Sequence, residues 1–564
     1  MAGRGWMPTS MYGARIVLYR RAWTAGITAA LVMGAACVLV APAKAGALPA
    51  IEGALTDLRG VAVGDWKVSP THRYLLQVSA SDGSLADDSL TQLVKLDADA
   101  KALVMVAVEA DETWCKAHPD DAVKYSPTPK HAPTPEPSLC SKAWREVAGK
   151  SVAALIEHVE AKWGEHVLAY AVCQAKAGQW EFPAETDALG DYSVAATRAF
   201  REYLRAKYRT LPDFRAAWGE ARNPVIDMQK APADEVRPIT SWDEVKIPPA
   251  QRRLPPPQDL YEPPAYTDVA DYRQFASKMV ADTAIAMAEA AKTKAGGKPV
   301  GVQYVDWVRT RYEPPMIERG IFGLGRVMDA VAVDFVAVDG HDGLKLHASH
   351  GIGHVLSGPD TAAPAQMAVV VDANSAAYMA RPGEFLASQL AEIDKAGISY
   401  RVYDLHDLVE REFPAEKVIM FLNTFVLDDR QREVLATLRS GGRVLVFSYA
   451  AGAMRPDRGV DGRDMRDFTG LGITMLPKDR PLRIAVSGGL DPWTSEVGEG
   501  VVYGPTKTMS PGFCVVDGQA DVLGTIEGIK LPGLAARRFD GWTSVYSAAP
   551  GIPAAVLKGI VSAK

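Results

Sequence analysis

Carboxylates at the ends of short apolar runs are the residues of this chain best suited to chemistry. Glu181 lies just beyond the run Val167 to Val172, between Trp180 and Phe182, two aromatics able to strip it of water. A loop glutamate beside a structural tryptophan has the same local pattern, so both readings stand. Asp306 follows the run Pro299 to Tyr304, and Asp339 and Asp342 follow Ala332 to Val338. Carboxylates gathered at the C-terminal ends of parallel strands can move protons or act as nucleophiles. Trp114, Trp180, Tyr304 and Trp307 offer flat faces that either stack on a ring-shaped ligand or fill a core. His341, His347, His350 and His354 crowd one stretch with Asp339, but their spacing fits no helical zinc motif. Gly343, Gly351 and Gly353 make that stretch read as a solvated loop, and no metal is expected there.

Such side chains need strands to hold them. Arg73 to Ser79 alternates and ends in a turn at Asp82-Gly83, while Ala102 to Val108 and Val167 to Val172 are continuous apolar runs of the kind buried on both faces of a parallel sheet. Trp144, Val147, Ala148, Val152, Leu155, Ile156, Val159 and Trp163 recur at helical spacing between two of these runs. The alternation predicts an α/β fold with a (β/α)8-type barrel, of which about five of the eight strands are recognisable. From about Gln366 a second α/β pattern begins, with strands at Met367 to Asp372, Tyr400 to Tyr403, Val418 to Asn423 and Val444 to Phe447, as in a flavodoxin-like sheet. Beyond Asp457 short alternating runs such as Gly541 to Tyr546 predict a β-rich region that packs back on the rest. The expected division is residues 1–45 as export signal, 46–362 as barrel, 363–460 as flavodoxin-like domain and 461–564 as β-rich C-terminal region.

The chain has 564 residues, 48% hydrophobic and 23% charged, with 48 glycines and 38 prolines, which excludes wholesale disorder and a polytopic membrane protein. Its 62 basic and 68 acidic residues give a net charge of −6, so no basic surface is available for nucleic acid. Arg15, Arg20 and Arg21 precede an uncharged stretch, residues 22–43, and Ala43-Lys44-Ala45 supplies the small side chains that a signal peptidase reads. Export to the periplasm or outside is expected, with an uncleaved anchor through residues 22–43 as the alternative. A bridge between Cys115 and Cys140 would staple the Pro-rich loop between them.

Trp114-x3-His118-Pro119-Asp120, Ser141-x2-Trp144-Arg145, Gly178-Gln179-Trp180-Glu181, Asp191-Tyr192-Ser193 with Phe200-Arg201 and Tyr203-Leu204, Lys207-Tyr208 and Ala217-Trp218-Gly219 follow one another in order. In this they resemble the glycoside hydrolase family forty-two type of β-galactosidase. Val371-Asp372-x2-Ser375-x2-Tyr378, Gly397-Ile398-x-Tyr400, Leu405-x-Asp407-Leu408, Phe421-Leu422-Asn423 and Tyr449-Ala450-x-Gly452 look like that family's flavodoxin-like trimerisation domain. The resemblance implies a carbohydrate ligand, no cofactor, a homotrimer and two catalytic carboxylates. It places the acid/base at Glu181, and if the ligand is a sugar, Trp114, Trp180, Tyr304 and Trp307 are the candidate stacking faces and Asp306 a further binding carboxylate at a strand end. For the nucleophile, residues 339–358 hold no glutamate, and Asp339 and Asp342 are the only carboxylates there. Two readings follow: a hydrolase of β-galactoside-type or other plant or algal carbohydrate, and a non-catalytic carbohydrate-binding or scaffold protein that has lost its nucleophile. An amidotransferase-like enzyme built on the second domain lacks support, because no cysteine lies between Cys173 and Cys514 to give that domain a thiol nucleophile. If the export reading holds, N-terminal sequencing of protein from its native host will find a start near Gly46; retention of Trp6 or Met7 would indicate the anchor instead.

Overall fold

Runs that are apolar on both faces pair as parallel strands, because helices can then cover both sides of the sheet. In the computed structural model the described residues are 59–60 and 72–562, apart from 132, 176–177, 186, 220–238, 255–258, 311–315, 341–342, 349–353, 358–364, 411–413, 490 and 499. The proposed export segment, its anchor alternative, His341, Asp342 and His350 lie outside them. No helix among the described residues is long and apolar enough to cross a membrane.

The first sheet runs in chain order: β1 (Arg59–Gly60), β2 (Arg73–Ser79), β3 (Lys101–Val108), β4 (Val167–Gln174), β5 (Val300–Gln303), β6 (Phe335–Gly340) and β7 (Gly343–Ala348). The first six are parallel, and β7 folds back antiparallel on β6. Helices α1 (Gly83–Leu96), α2 (Lys142–Trp163), α3 (Val194–Tyr208) and α4 (Thr267–Lys292) lie in the connections. Asp82 caps α1 and Ser141 caps α2 by accepting from exposed backbone N–H groups of the first turn. The α2 stripe buries Trp144, Ala148, Val152, Leu155, Ile156 and Val159, whereas Val147 faces solvent. On the other face of the sheet a separate cluster gathers Leu103, Met105, Ala107, Ala169, Ala171, Cys173 and Phe335. Phe335 lies so close over Gly301 that a Cβ there would sit 2.4 Å from its ring.

Closure of the expected barrel is not seen among the described residues: β1 and β7 are the two edges of the sheet. The antiparallel β7 ends the parallel series, and β8 (His354–Ser357) already belongs to the second sheet. This also corrects the loop reading of residues 339–358. Gly343-Leu344-Lys345-Leu346-His347-Ala348 alternates with period two and pairs as a strand.

The second sheet contains β9 (Met367–Val371), β10 (Tyr400–Asp404), β11 (Val418–Phe421), β12 (Arg443–Ser448), β13 (Ile484–Val486), β14 (Val502–Tyr503), β15 (Asp521–Ile526), β16 (Pro532–Phe539) and β17 (Trp542–Ser547). Its order is β8-β10-β9-β11-β12-β17-β16-β15-β13-β14. The parallel strands β10-β9-β11-β12-β17 have the flavodoxin order, in which the first strand lies between the second and third. The fifth of them comes from the C-terminal region, which therefore completes this sheet. Helix α5 (Pro382–Ala396) packs against the last helix, α6 (Ala554–Ser562). The buried Gln389 side chain locks the approach, its Oε1 accepting from Gly551 N and Ile552 N at 2.9 Å.

The Cys115–Cys140 disulfide is not formed, and both are buried free thiols. Backbone pairing closes that loop instead: Val123 N donates to Glu136 O at 2.9 Å and Ser138 N to Asp121 O at 2.8 Å.

At the ends of β9 and β10 two carboxylates meet. Burial, opposed by bonds from Ser375 and Asn374, raises Asp372 to about 6, and burial together with the charge of Asp372 raises Asp404 to about 7. The folded chain therefore holds protons here that the unfolded chain releases. The stability gained is complete below the ordinary carboxylate value and is lost as pH rises through about 7. Asp404→Asn, which keeps an acceptor for His406 N, is expected to raise the melting temperature at pH 8 more than at pH 5. An equal gain at both values would refute the assignment.

Candidate functional site

Beyond β4 the chain must turn sharply to bring Glu181 back over the strand end. Gly178, at φ +74°, makes the turn and its N–H donates to Gln174 O at 2.8 Å. Trp180 and Phe182 then point into the core on either side of Glu181. The Trp180 indole N–H donates to Val172 O at 3.1 Å, and Phe182 packs edge-on against Tyr272 and Phe275. Alternation leaves Glu181 lining a cavity of about 270 Å³ with Glu136, Gln174, Gln179, Glu185 and Arg319. Its backbone N–H is fixed by Gln174 Oε1 at 3.1 Å.

Arg319 holds the carboxylate. Its NH1 donates to Glu181 Oε1 at 2.8 Å and its NH2 to Ala184 O at 3.2 Å, while its own carbonyl accepts from Phe182 N at 2.7 Å. Glu181 Oε1 thus accepts one charge-assisted bond. Glu181 Oε2 and Arg319 Nε are buried without partners. Glu136 is fixed by the Tyr125 hydroxyl, which donates to its Oε1 at 2.6 Å.

The residue before Arg319 explains why Arg319 stays put. Glu318 accepts from Arg253 Nε at 2.8 Å and Arg273 Nε at 2.7 Å, with all three side chains at most 1% exposed. Arg253 also donates to Gly190 O at 2.9 Å and the Tyr192 hydroxyl at 3.1 Å, and its guanidinium lies 4.1 Å from the centre of the Tyr272 ring. Arg273 reaches the second sheet's side of the molecule, donating to Ala377 O and Met379 O at 3.1 and 3.0 Å. Every charge in this triad has hydrogen-bonding partners, which is the condition for burying it.

The other residues expected at the site are placed differently. Trp180, Tyr304 and Trp307 are at most 1% exposed, so their faces pack protein and are not offered to a sugar: Tyr304 lies under Gly320, and Trp307 meets Phe322 edge-on. They follow buried strands, and the core claims them. Asp306 is buried too, its carboxylate closing a turn by accepting from Val308 N and Arg309 N at 3.2 Å. Trp114 is half-buried on the short helix Glu112–Ala117 and stacks on His118 at 4.3 Å. Asp339 is the penultimate residue of β6, in register with Leu344. Among the described residues the carboxylates lining the Glu181 cavity are Glu136 and Glu185, neither singled out by the sequence. Glu136 stands in a Pro-rich loop and Glu185 on a two-residue hairpin strand, and neither has the apolar run that marks a strand end.

The histidine-rich stretch is divided, His347 on β7 in the first sheet and His354 on β8 in the second. One described group has metal-ligand atoms close together: His72, Asp97 and Asp99, within 4.8 Å of one another. It sits at the start of β2 and β3, the opposite end of the sheet from Glu181. Asp97 there already accepts from the Tyr74 hydroxyl at 2.6 Å and pairs with His72 at 2.9 Å.

No family model matches the chain, and no curated protein does. Solved structures do. A β-galactosidase from Bacillus circulans sp. alkalophilus is similar at 15% identity and a TM-score of 0.56, over 87% of this chain and 83% of that one. A β-galactosidase from the haloarchaeon Halorubrum lacusprofundi gives 13% and 0.57, over 87% and 85%. Gan42B, a GH42 β-galactosidase from G. stearothermophilus, gives 12% and 0.54, over 85% and 80%. The fold thus resembles that of GH42 β-galactosidases.

Removing the anion from the triad leaves two buried guanidinium groups facing each other. Glu318→Ala should therefore cost about 3–5 kcal/mol in urea denaturation. A loss below about 1 kcal/mol would show that the triad does not hold these segments.

Proposed function

We propose that this is an exported, glycoside hydrolase-like protein that recognises carbohydrate, of β-galactoside or other plant or algal type, in the cavity at Glu181, and that it binds the sugar without cleaving it. The observation that carries this reading is the Glu181–Arg319 pair. Arg319 engages one oxygen of Glu181 and fixes the side chain in the cavity wall, as a hydrogen-bonding group in a sugar site is fixed. Lone pairs, side-chain amides and a guanidinium suit the hydroxyl pattern of a sugar, and the cavity has room for about one ring. Hydrolysis is the second reading, favoured by the three carboxylates lining one cavity, since glycoside cleavage needs two. The first sheet serves the sugar, and the second, which takes in β8 and is completed by the C-terminal region, serves assembly into a homotrimer.

Glu181→Gln separates the two readings. On the binding reading the unaltered protein turns over no aryl β-galactoside, and the variant weakens galactoside binding in calorimetry by about tenfold, roughly 1.4 kcal/mol. Turnover abolished by the variant would establish hydrolysis, and absence of any sugar binding would end the carbohydrate reading. Light scattering of the same sample should return a mass near three chains; a monomer would refute the assembly.

A further inference from the structure

We propose that the two carboxylates at the ends of β9 and β10, Asp372 and Asp404, act as a pH-sensitive latch on the Glu181 cavity, loosening its wall as pH rises. The device is built into the fold and does not depend on which ligand the cavity takes. Asp404 is the last residue of β10 and stands in register with Val371, so Asp372, the next residue, follows beside it. Asp404 accepts from His406 N at 2.9 Å and from Ala373 N. Asp372 accepts from Asn374 N at 3.0 Å, from Ser375 N at 2.9 Å and from the Ser375 hydroxyl. Both carboxylates thus grip one turn, Ala373–Ala376. Two charges so placed repel, and the burial of Asp372 limits the water that could screen them. A proton held by the pair removes the repulsion.

The turn is tied to the cavity by two routes. Just beyond it, Ala377 O and Met379 O accept from Arg273, whose Nε donates to Glu318 Oε1 at 2.7 Å. Arg319, the next residue, donates to Glu181 Oε1 and accepts at its carbonyl from Phe182 N. The turn also packs directly against Ile321–Gly323, two residues past Arg319. The strand ends are fixed by the sheet, so the turn is the part that yields to repulsion, and both routes carry its shift to Arg319. Such a relay needs an equilibrium that both of its ends bias, and the pair's proton supplies one. With the two groups raised to about 6 and about 7, the second charge arrives as pH rises through about 7. Other elements face the pair as well. Asp428, capping helix Asp429–Ala436, and Asp329, at the end of helix Leu324–Met328, add negative charge at Asp372 and Asp404 respectively. Lys207 and Asp271 act with Asp372 on the Tyr378 hydroxyl, while His406, exposed, and Asp407, buried, follow on helix Leu405–Glu410.

Hydrogen–deuterium exchange on the whole protein, with rates corrected for the intrinsic effect of pH, tests this without a ligand. Between pH 5.5 and pH 8.5, protection of the Phe182 amide, which bonds Arg319 O, should fall about tenfold, while the β3 amides stay within about twofold. Asp404→Asn removes the second charge and should hold the fall at Phe182 to about twofold or less. Asp372→Asn, which keeps a capping side chain, should do the same and stands in if the first variant does not fold. An undiminished fall in the variants, no fall in the unaltered protein, or an equal fall in β3 would overturn the inference. Because no sugar is present, each of these outcomes leaves the carbohydrate reading where it was.

Discussion

Two arginines sharing one glutamate, all three shut away from water, set the arrangement of this molecule. Taking Arg253, Glu318 and Arg273 out of water costs several kcal/mol each unless every donor finds an acceptor, and the surrounding chain is arranged so that they do. The acceptors are backbone carbonyls of Gly190, Ala377 and Met379, which belong to segments far apart in sequence. The turn at Glu318, the long helix α4 and the start of the second domain are thereby held to a single geometry. Arg319 inherits its position from that geometry, and Glu181 inherits its own from Arg319.

Helix α4 carries a second buried cluster a short way from the first. Asp271 accepts from Tyr208 at 2.8 Å, Trp218 at 2.7 Å and Lys207 at 2.5 Å. Burial depresses Lys207, but Asp271 and the surrounding tyrosines more than reverse this and raise it well above the usual lysine range. Gln274, one residue from the triad's Arg273, takes hydrogen bonds from Lys207 and Tyr203 and donates to Asn374 at the end of β9. One helix thus presents to the second domain polar groups whose partners must all be in place together. Such a junction is specific where an apolar one would tolerate sliding.

Much of the scaffold was legible because it depends on periodicity. The α2 stripe, the apolar strands β3 and β4 and the four leading parallel strands of the second sheet all follow from which residues must be hidden. Of the candidate cavity, the sequence singled out Glu181 alone. Trp180, Tyr304 and Trp307 have the composition of a sugar platform and the burial of a core, and sequence spacing does not separate the two. Glu136, Glu185 and Arg319 were not singled out because they reach this cavity through contacts made across the chain: Arg319 bonds a carboxylate 138 positions away. The Cys115–Cys140 bridge failed for a related reason, since backbone pairing around Ala122 and Pro137 supplies the closure that a disulfide would have given.

The late arrival of β17 has a consequence for biogenesis. During synthesis β12 is finished long before Trp542 exists, and until Trp542 to Ser547 emerge, the open side of β12 is a bare row of amide and carbonyl groups. A ribosome paused within Tyr449 to Gly541, or a protease nick in that interval, would leave a half-built sheet whose natural next partner is the same edge of another nascent chain. Pairing across so long a stretch of sequence is slow. The protein is thus most exposed to aggregation just before its last helix, α6, is made.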